Sequence, residues 1–154
     1  MILVALGSNM SGPWGTPSDA IRMALDHLDR DGLHLKKVSK LILTTPFGRI
    51  NQPDFVNAAA VVETHLPPES LMRRLHAIER EAGRRRGVRW GPRTLDLDLI
   101  DYKGLLKKSG PILPHPGIAE RTFVLEPILE LAPRWRHPVT RRSAKDMLRS
   151  LSGH

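Results

Sequence analysis

The chain of 154 residues contains no cysteine, which excludes disulfide stapling, thiolate metal sites and a cysteine nucleophile. Aromatic side chains are scarce, with three Trp, three Phe and one Tyr, so little material exists for a base-stacking nucleic-acid platform. No apolar run approaches the roughly 18 residues that a membrane span needs. Met1 leads straight into Ile2-Leu3-Val4-Ala5-Leu6 with no basic stretch or small-residue cleavage site, so the opening reads as a buried strand and the expected compartment is the cytosol. Gly7, Gly12 and Gly15 are not followed by Gly-Lys-Ser/Thr. No Gly-x-Gly-x-x-Gly, Gly-x-Ser-x-Gly or His-Glu-x-x-His occurs either, and any nucleotide must be held by other means.

What is present is an ordinary globular composition, 40% apolar and 26% charged with a mean hydropathy of −0.28, and a length that suits one domain. The net charge of +8 implies attraction to anions. It is concentrated. Between Arg73 and Arg93 stand eight arginines against Glu79 and Glu81, a local charge of +6.

Residues 2 to 6 form an apolar strand ended by Gly7. Thr16-Pro17-Ser18-Asp19 opens a helix with an N-cap, a proline at the first position and an acid in the first turn. Leu33 to Thr45 reads as a second strand and Phe55 to His65 as a third, with Val56, Ala58, Ala60 and Val62 on one parity. Between them, residues 45–54 form a loop rich in turn formers. Pro67-Pro68-Glu69 begins a second helix with the stripe Leu71, Leu75, Ile78 and Ala82, closed by Gly83. Arg84 to Arg93 is a basic loop. Leu95 to Tyr102 is a fourth strand, paired through Gly104 with a short fifth around Leu105-Leu106. Ala119 to Leu131 is helical with an interruption at Pro127, and Ser143 to Leu151 forms a last helix. The order β-α-β-β-α-β predicts an α+β, ferredoxin-like core in one domain spanning 1–154, with helices covering one face of an antiparallel sheet.

The strongest chemical signal is Arg93-Thr94-Leu95-Asp96-Leu97-Asp98-Leu99. Alternation on a strand puts Asp96 and Asp98 on one face and the leucines on the other. Two neighbouring carboxylates repel unless a hard cation such as Mg²⁺ sits between them and holds substrate phosphates; the plainer alternative is a half-exposed strand with alternating charge. The arginines immediately upstream favour the first reading, because cationic forks beside a metal-holding acid pair are the two halves of a phosphoryl-transfer site. Trp90 could stack on a base or anchor the loop. His76 and Glu79 share a helix face away from the leucine stripe, as a solvated surface or a nucleotide contact. His115, between two prolines, suits a phosphate ligand or a plain turn. A nucleic-acid-binding module is the competing reading of the basic charge, opposed by the shortage of aromatics.

Together these residues resemble the 6-hydroxymethyl-7,8-dihydropterin pyrophosphokinase family, folate-pathway enzymes that move pyrophosphate from ATP to a pterin alcohol. The resemblance covers nearly the whole chain. It rests on Leu6-Gly7-Ser8-Asn9, on Gln52-Pro53-Asp54-Phe55-Val56-Asn57-Ala58-Ala59, on Arg89-Trp90-Gly91-Pro92-Arg93-Thr94-Leu95-Asp96-Leu97-Asp98, and on Pro114-His115-Pro116 followed by Arg121 and Phe123. It implies that Asp96 and Asp98 bind two Mg²⁺ ions, that Thr44 and Phe47 line a pterin pocket, and that Asn57 reads the pterin edge while Phe55 and Phe123 sandwich its ring. It also implies ATP contacts from His76, Glu79, Arg89, Trp90, Arg93, His115 and Arg121, with Arg84 and Arg93 assisting transfer. The expected partners are these small molecules, not nucleic acid or membrane, and the expected state is a monomer.

Overall fold

The computed structural model describes residues 1–44, 55–83 and 94–152. Its frame is an antiparallel sheet of β1 (Ile2–Ser8), β2 (Leu33–Val38), β3 (Ile42–Thr44), β4 (Phe55–Thr64) and β5 (Asp96–Tyr102) in the order β2-β4-β1-β5, with β3 continuing along β4. β4 lies between β1 and β2, the split arrangement expected from the element order. The fold is α+β, as the sequence implied.

The helices occupy both faces of the sheet, not one. On the first face, α1 (Pro17–His27) and α2 (Pro68–Glu81) bury Ile21, Leu28, Leu71, Leu75 and Ile78 against Val4, Leu6, Ala58, Val62, Leu97 and Leu99. On the second, α3 (Thr122–Leu131) and α4 (Ala144–Ser152) bury Val124, Leu125, Ile128 and Met147 against Leu3, Ala5, Ala59, Val61 and Ile100. Every residue of β1 is therefore buried, which explains its unbroken apolar run.

Local chemistry accounts for most boundaries. Thr16 and Asp19 form a reciprocal capping box with Pro17 at the first turn of α1. The single strand expected over 33–45 is divided at Ser39, because its hydroxyl replaces a ladder partner by accepting from Ala59 N at 2.9 Å. The expected break at Pro127 does not occur. Burial of Val124, Leu125, Ile128 and Leu131 along α3 outweighs the one backbone donor the proline removes.

The expected fifth strand at Leu105-Leu106 is absent. Lys103 and Gly104 adopt φ of 53° and 75° in a tight turn, both leucines are exposed, and the next pairing is β6 (Lys107–Lys108) with β7 (Ile112–Leu113). β5 also carries an irregularity that alternation alone would miss. Leu3 pairs with Asp101 and Val4 with Leu99, so Ile100 is an extra residue and the two-residue period restarts after it. Tyr102 thereby joins the core on the α1/α2 side, and its hydroxyl donates to Leu66 O just ahead of α2.

Candidate active site

The site begins as a row of three residues across three strands. Asn57 on β4 pairs with Gly7 on β1, and Gly7 pairs with Asp96 on β5. Ala59, Ala5 and Asp98 form the next row. Two-residue alternation turns both rows toward the face that carries α3 and α4, and glycine and alanine keep its floor low. A Cβ at Gly7 would stand 3.0 Å from Asn57 Oδ1 and 3.6 Å from Phe55 Cδ1. The glycine is thus a gap between a buried amide and a carboxylate.

The amide is held from its far side. Asn57 is 5% exposed and its Nδ2 donates to Thr44 Oγ1; β3 places Thr44 opposite Phe55. Thr44, Phe55 and Asn57, expected to line one pocket, are brought together here.

The carboxylate side is built by a cation and an imidazole. Arg121 caps the start of α3 and sets Nη1 3.9 Å from Asp98 Oδ2, with both side chains about a quarter exposed. The same guanidinium lies 5.9 Å from the centre of the Phe123 ring. Gly117 makes this possible, since a Cβ there would come within 2.9 Å of Arg121 Nε. His115 N donates to Ile100 O at 2.9 Å, and His115 Nδ1 accepts from Gly117 N at 3.2 Å. That bond leaves the proton of the neutral ring on Nε2. Burial, then the positive charge of Arg121, holds the His115 pKa below the ordinary histidine value, partly opposed by Asp96. At neutral pH the imidazole is an uncharged donor.

Asp96 and Asp98 fit Mg²⁺ by the chemistry of their oxygens. A pair of carboxylates suits a cation that keeps water and takes its remaining ligands from substrate phosphates.

Of the two residues expected to share an exposed face of α2, one sits differently. His76 is exposed on α2, but Glu79 is 6% exposed and its Oε2 accepts from Leu97 N at 2.7 Å. Phe47, Arg84, Arg89, Trp90 and Arg93, with the rest of the basic loop expected over 84–93, lie outside the described residues. Sequence reasoning passed over Gly117, whose only signal was its position two residues after His115, and the role of Gly7, visible only once β4 and β5 flank it. Ser8 extends β1 past the end expected at Gly7 and donates to Thr94 O at 2.6 Å.

An α+β sandwich that gathers paired carboxylates, a guanidinium and a neutral imidazole at one end of a sheet has the parts of a phosphate-transferring enzyme. The family model described as 7,8-dihydro-6-hydroxymethylpterin-pyrophosphokinase matches residues 3–133, and the chain belongs to that family. It is 43% identical over 139 residues to the 2-amino-4-hydroxy-6-hydroxymethyldihydropteridine pyrophosphokinase of Pseudomonas aeruginosa, covering 89% of this chain and 83% of that one. The protein of the same name from Haemophilus influenzae is 39% identical over 131 residues, 84% of this chain and 79% of that one. The folic acid synthesis protein fol1 of Pneumocystis carinii is 34% identical over 154 residues, and there the match spans 99% of this chain but only 20% of the longer protein.

Proposed function

We propose that the chain transfers the pyrophosphoryl group of ATP to the hydroxymethyl group of 6-hydroxymethyl-7,8-dihydropterin in folate synthesis, releasing AMP. The observation that carries this reading is the row Asn57–Gly7–Asp96. It sets a buried amide able to read a flat heterocycle one strand away on either side of a gap from an acid pair able to hold a metal–triphosphate. Family membership supplies the substrate class.

Asp96 and Asp98 hold Mg²⁺, in this reading two ions, which when bound neutralise the triphosphate oxygens and favour attack at phosphorus. The chain itself supplies position and charge. Thr44, Phe47, Phe55, Asn57 and Phe123 seat the pterin, with Asn57 oriented by Thr44 and the ring between two aromatic faces. His115 offers Nε2–H, and Arg121 its fork, to phosphate oxygens. Arg84, Arg89, Trp90, Arg93 and His76 complete the ATP side by resemblance to the family, with Arg84 and Arg93 steadying the charge that develops during transfer; Glu79, expected there by the same resemblance, has its carboxylate on the Leu97 amide. The substrate oxygen forms its bond to the β-phosphorus as the bond from that phosphorus to the oxygen of AMP breaks, and the hydroxyl proton is released. No covalent enzyme intermediate is required. The same reading has the protein acting as a monomer in the cytoplasm, on small molecules and not on nucleic acid.

³¹P NMR of the protein with ATP, Mg²⁺ and the pterin alcohol tests it. AMP and a new diphosphate ester are expected. ADP instead would mean single phosphoryl transfer, and no change with folded protein would leave only a binding pocket.

A further inference from the structure

Glu79 and Asp101 are the two buried acidic side chains among the described residues. A carboxylate is costly to bury, and its position should show what offsets that cost. Asp101 is accounted for by two donors, Gly104 N and Trp135 Nε1. Glu79 stands at the end of α2, after Leu71, Leu75 and Ile78 have packed that helix onto the sheet. From there it reaches the outer edge of β5, which has β1 as its neighbour on one side and ends the sheet on the other.

Its partner on that edge is Leu97 N, the residue between the two aspartates. Residues along a strand offer their N–H groups alternately to its two edges. With Leu97 turned outward to Glu79, the N–H groups of Asp96 and Asp98 turn inward to β1. The strand is therefore gripped on both sides where it carries the acid pair, by β1 within and by the hydrogen bond to Glu79 without. The side chain of Leu97 meanwhile points into the α1/α2 core. Slack at this one amide would let the outer edge of β5 twist and change the spacing of both carboxylates.

We propose that Glu79 is a positioning residue, acting through the Leu97 amide to fix the Asp96–Asp98 pair for a divalent cation and its bound triphosphate. This rests on the reading of the site given above, and it assigns Glu79 a role separate from direct contact with the nucleotide. What the bond requires is an acceptor oxygen at that reach, not a charge.

Three variants decide it: Glu79→Gln keeps an acceptor oxygen, Glu79→Leu removes it, and Glu79→Asp keeps the charge but withdraws it by one methylene. The readouts are hydrogen exchange at the Leu97 amide and the half-saturating Mn²⁺ concentration, followed by electron paramagnetic resonance with a non-hydrolysable ATP analogue. Glu79→Gln should stay within about twofold of wild type, since the outer support survives. Glu79→Leu and Glu79→Asp should expose the Leu97 amide to exchange and raise the Mn²⁺ requirement roughly 10-fold to 100-fold, the usual effect of removing a ligand's support. An unchanged Mn²⁺ requirement in a Glu79→Leu protein that still melts cooperatively would overturn the proposal, leaving Glu79 a merely structural residue. Equal loss in Glu79→Gln and Glu79→Leu would overturn it as well, because the charge itself would then matter. Should Glu79→Leu fail to fold, Glu79→Asp decides the question, and a wild-type Mn²⁺ requirement there refutes the role. A wrong reading of the reaction would show in the wild-type protein as absence of AMP. The positioning role is read from the ratio of variant to wild type, which needs no turnover.

Discussion

The indole Nε1 of Trp135 donates a 2.7 Å hydrogen bond to Oδ2 of Asp101, with both residues buried. Trp135 lies two residues past the span the family model matches, yet it ties the C-terminal segment to the strand that carries Asp96 and Asp98. Replacing it by Phe keeps most of the apolar bulk and leaves a buried carboxylate oxygen without that donor. The expected loss is about 1–3 kcal/mol, and each kcal/mol lowers Tm by roughly 2–4 °C at this chain length. Calorimetric melting checks it. A Tm equal to wild type would mean that water replaces the indole.

Gly7→Ala tests the gap in the floor. The added methyl meets Asn57 Oδ1 at 3.0 Å, so the amide must move by a few tenths of an ångström and its bond to Thr44 must adjust. Gly7 has no left-handed φ, so the backbone accepts alanine. The expected outcome is a rise in KM for the pterin alcohol of roughly tenfold, equivalent to about 1.4 kcal/mol, with KM for ATP and Tm little changed. Equal effects on both substrates would place the gap elsewhere in the mechanism.

Gly117→Ala addresses the opposite side. Its methyl would push on Nε of Arg121, the far part of a flexible side chain, so the fold should survive while the guanidinium leaves Asp98 and Phe123. KM for ATP should rise about tenfold while that for the pterin alcohol stays near wild type. Steady-state kinetics with each substrate varied in turn separates the two.

Asp96→Ala should abolish Mg²⁺-dependent turnover and keep the native circular dichroism spectrum, because removing one of two neighbouring like charges relieves repulsion in the unliganded protein. Full activity in this variant would remove Asp96 from the metal site.

His137 makes the acid stability of the C-terminal segment depend on protonation. Its Nδ1 accepts from Val139 N at 3.1 Å and Thr140 N at 3.2 Å, a role that only the neutral ring can fill. Burial holds its pKa below the ordinary value of 6.5, with Asp101 partly opposing. The unfolded chain therefore binds this proton first as pH falls. The contribution is fully present above about pH 6.5 and is lost as pH drops from there through the depressed folded value. His137→Asn offers an oxygen acceptor that does not titrate, so the Tm of this variant should fall less between pH 7 and pH 5 than that of wild type. Parallel curves would show that the turn tolerates the imidazolium.

Much of the fold is legible in short-range chemistry. The box of Thr16 and Asp19, the stripe of Leu71, Leu75 and Ile78, and the parity of Val56, Ala58, Ala60 and Val62 each record a local period or cap that the structure retains. The alternation of Asp96 and Asp98 with leucines is legible for the same reason, and so is its assignment to one face. Less legible were the elements whose outcome depends on distant partners. Pro127 stays inside α3 because the sheet behind it rewards burial, and the turn at Lys103 and Gly104 carries the chain away from β5 before Leu105 could pair.

The sequence by itself determined that this is a cysteine-free α+β domain with an acid pair on a strand beside a concentration of arginine, because periodicity, capping and charge are properties of neighbouring residues. Only the tertiary structure decided that helices cover both faces, that Gly7 opens a gap between Asn57 and Asp96, and that Glu79 serves the Leu97 amide. Those relations arise between residues from different strands and helices, where register, one extra residue at Ile100 and the reach of a side chain settle what meets what.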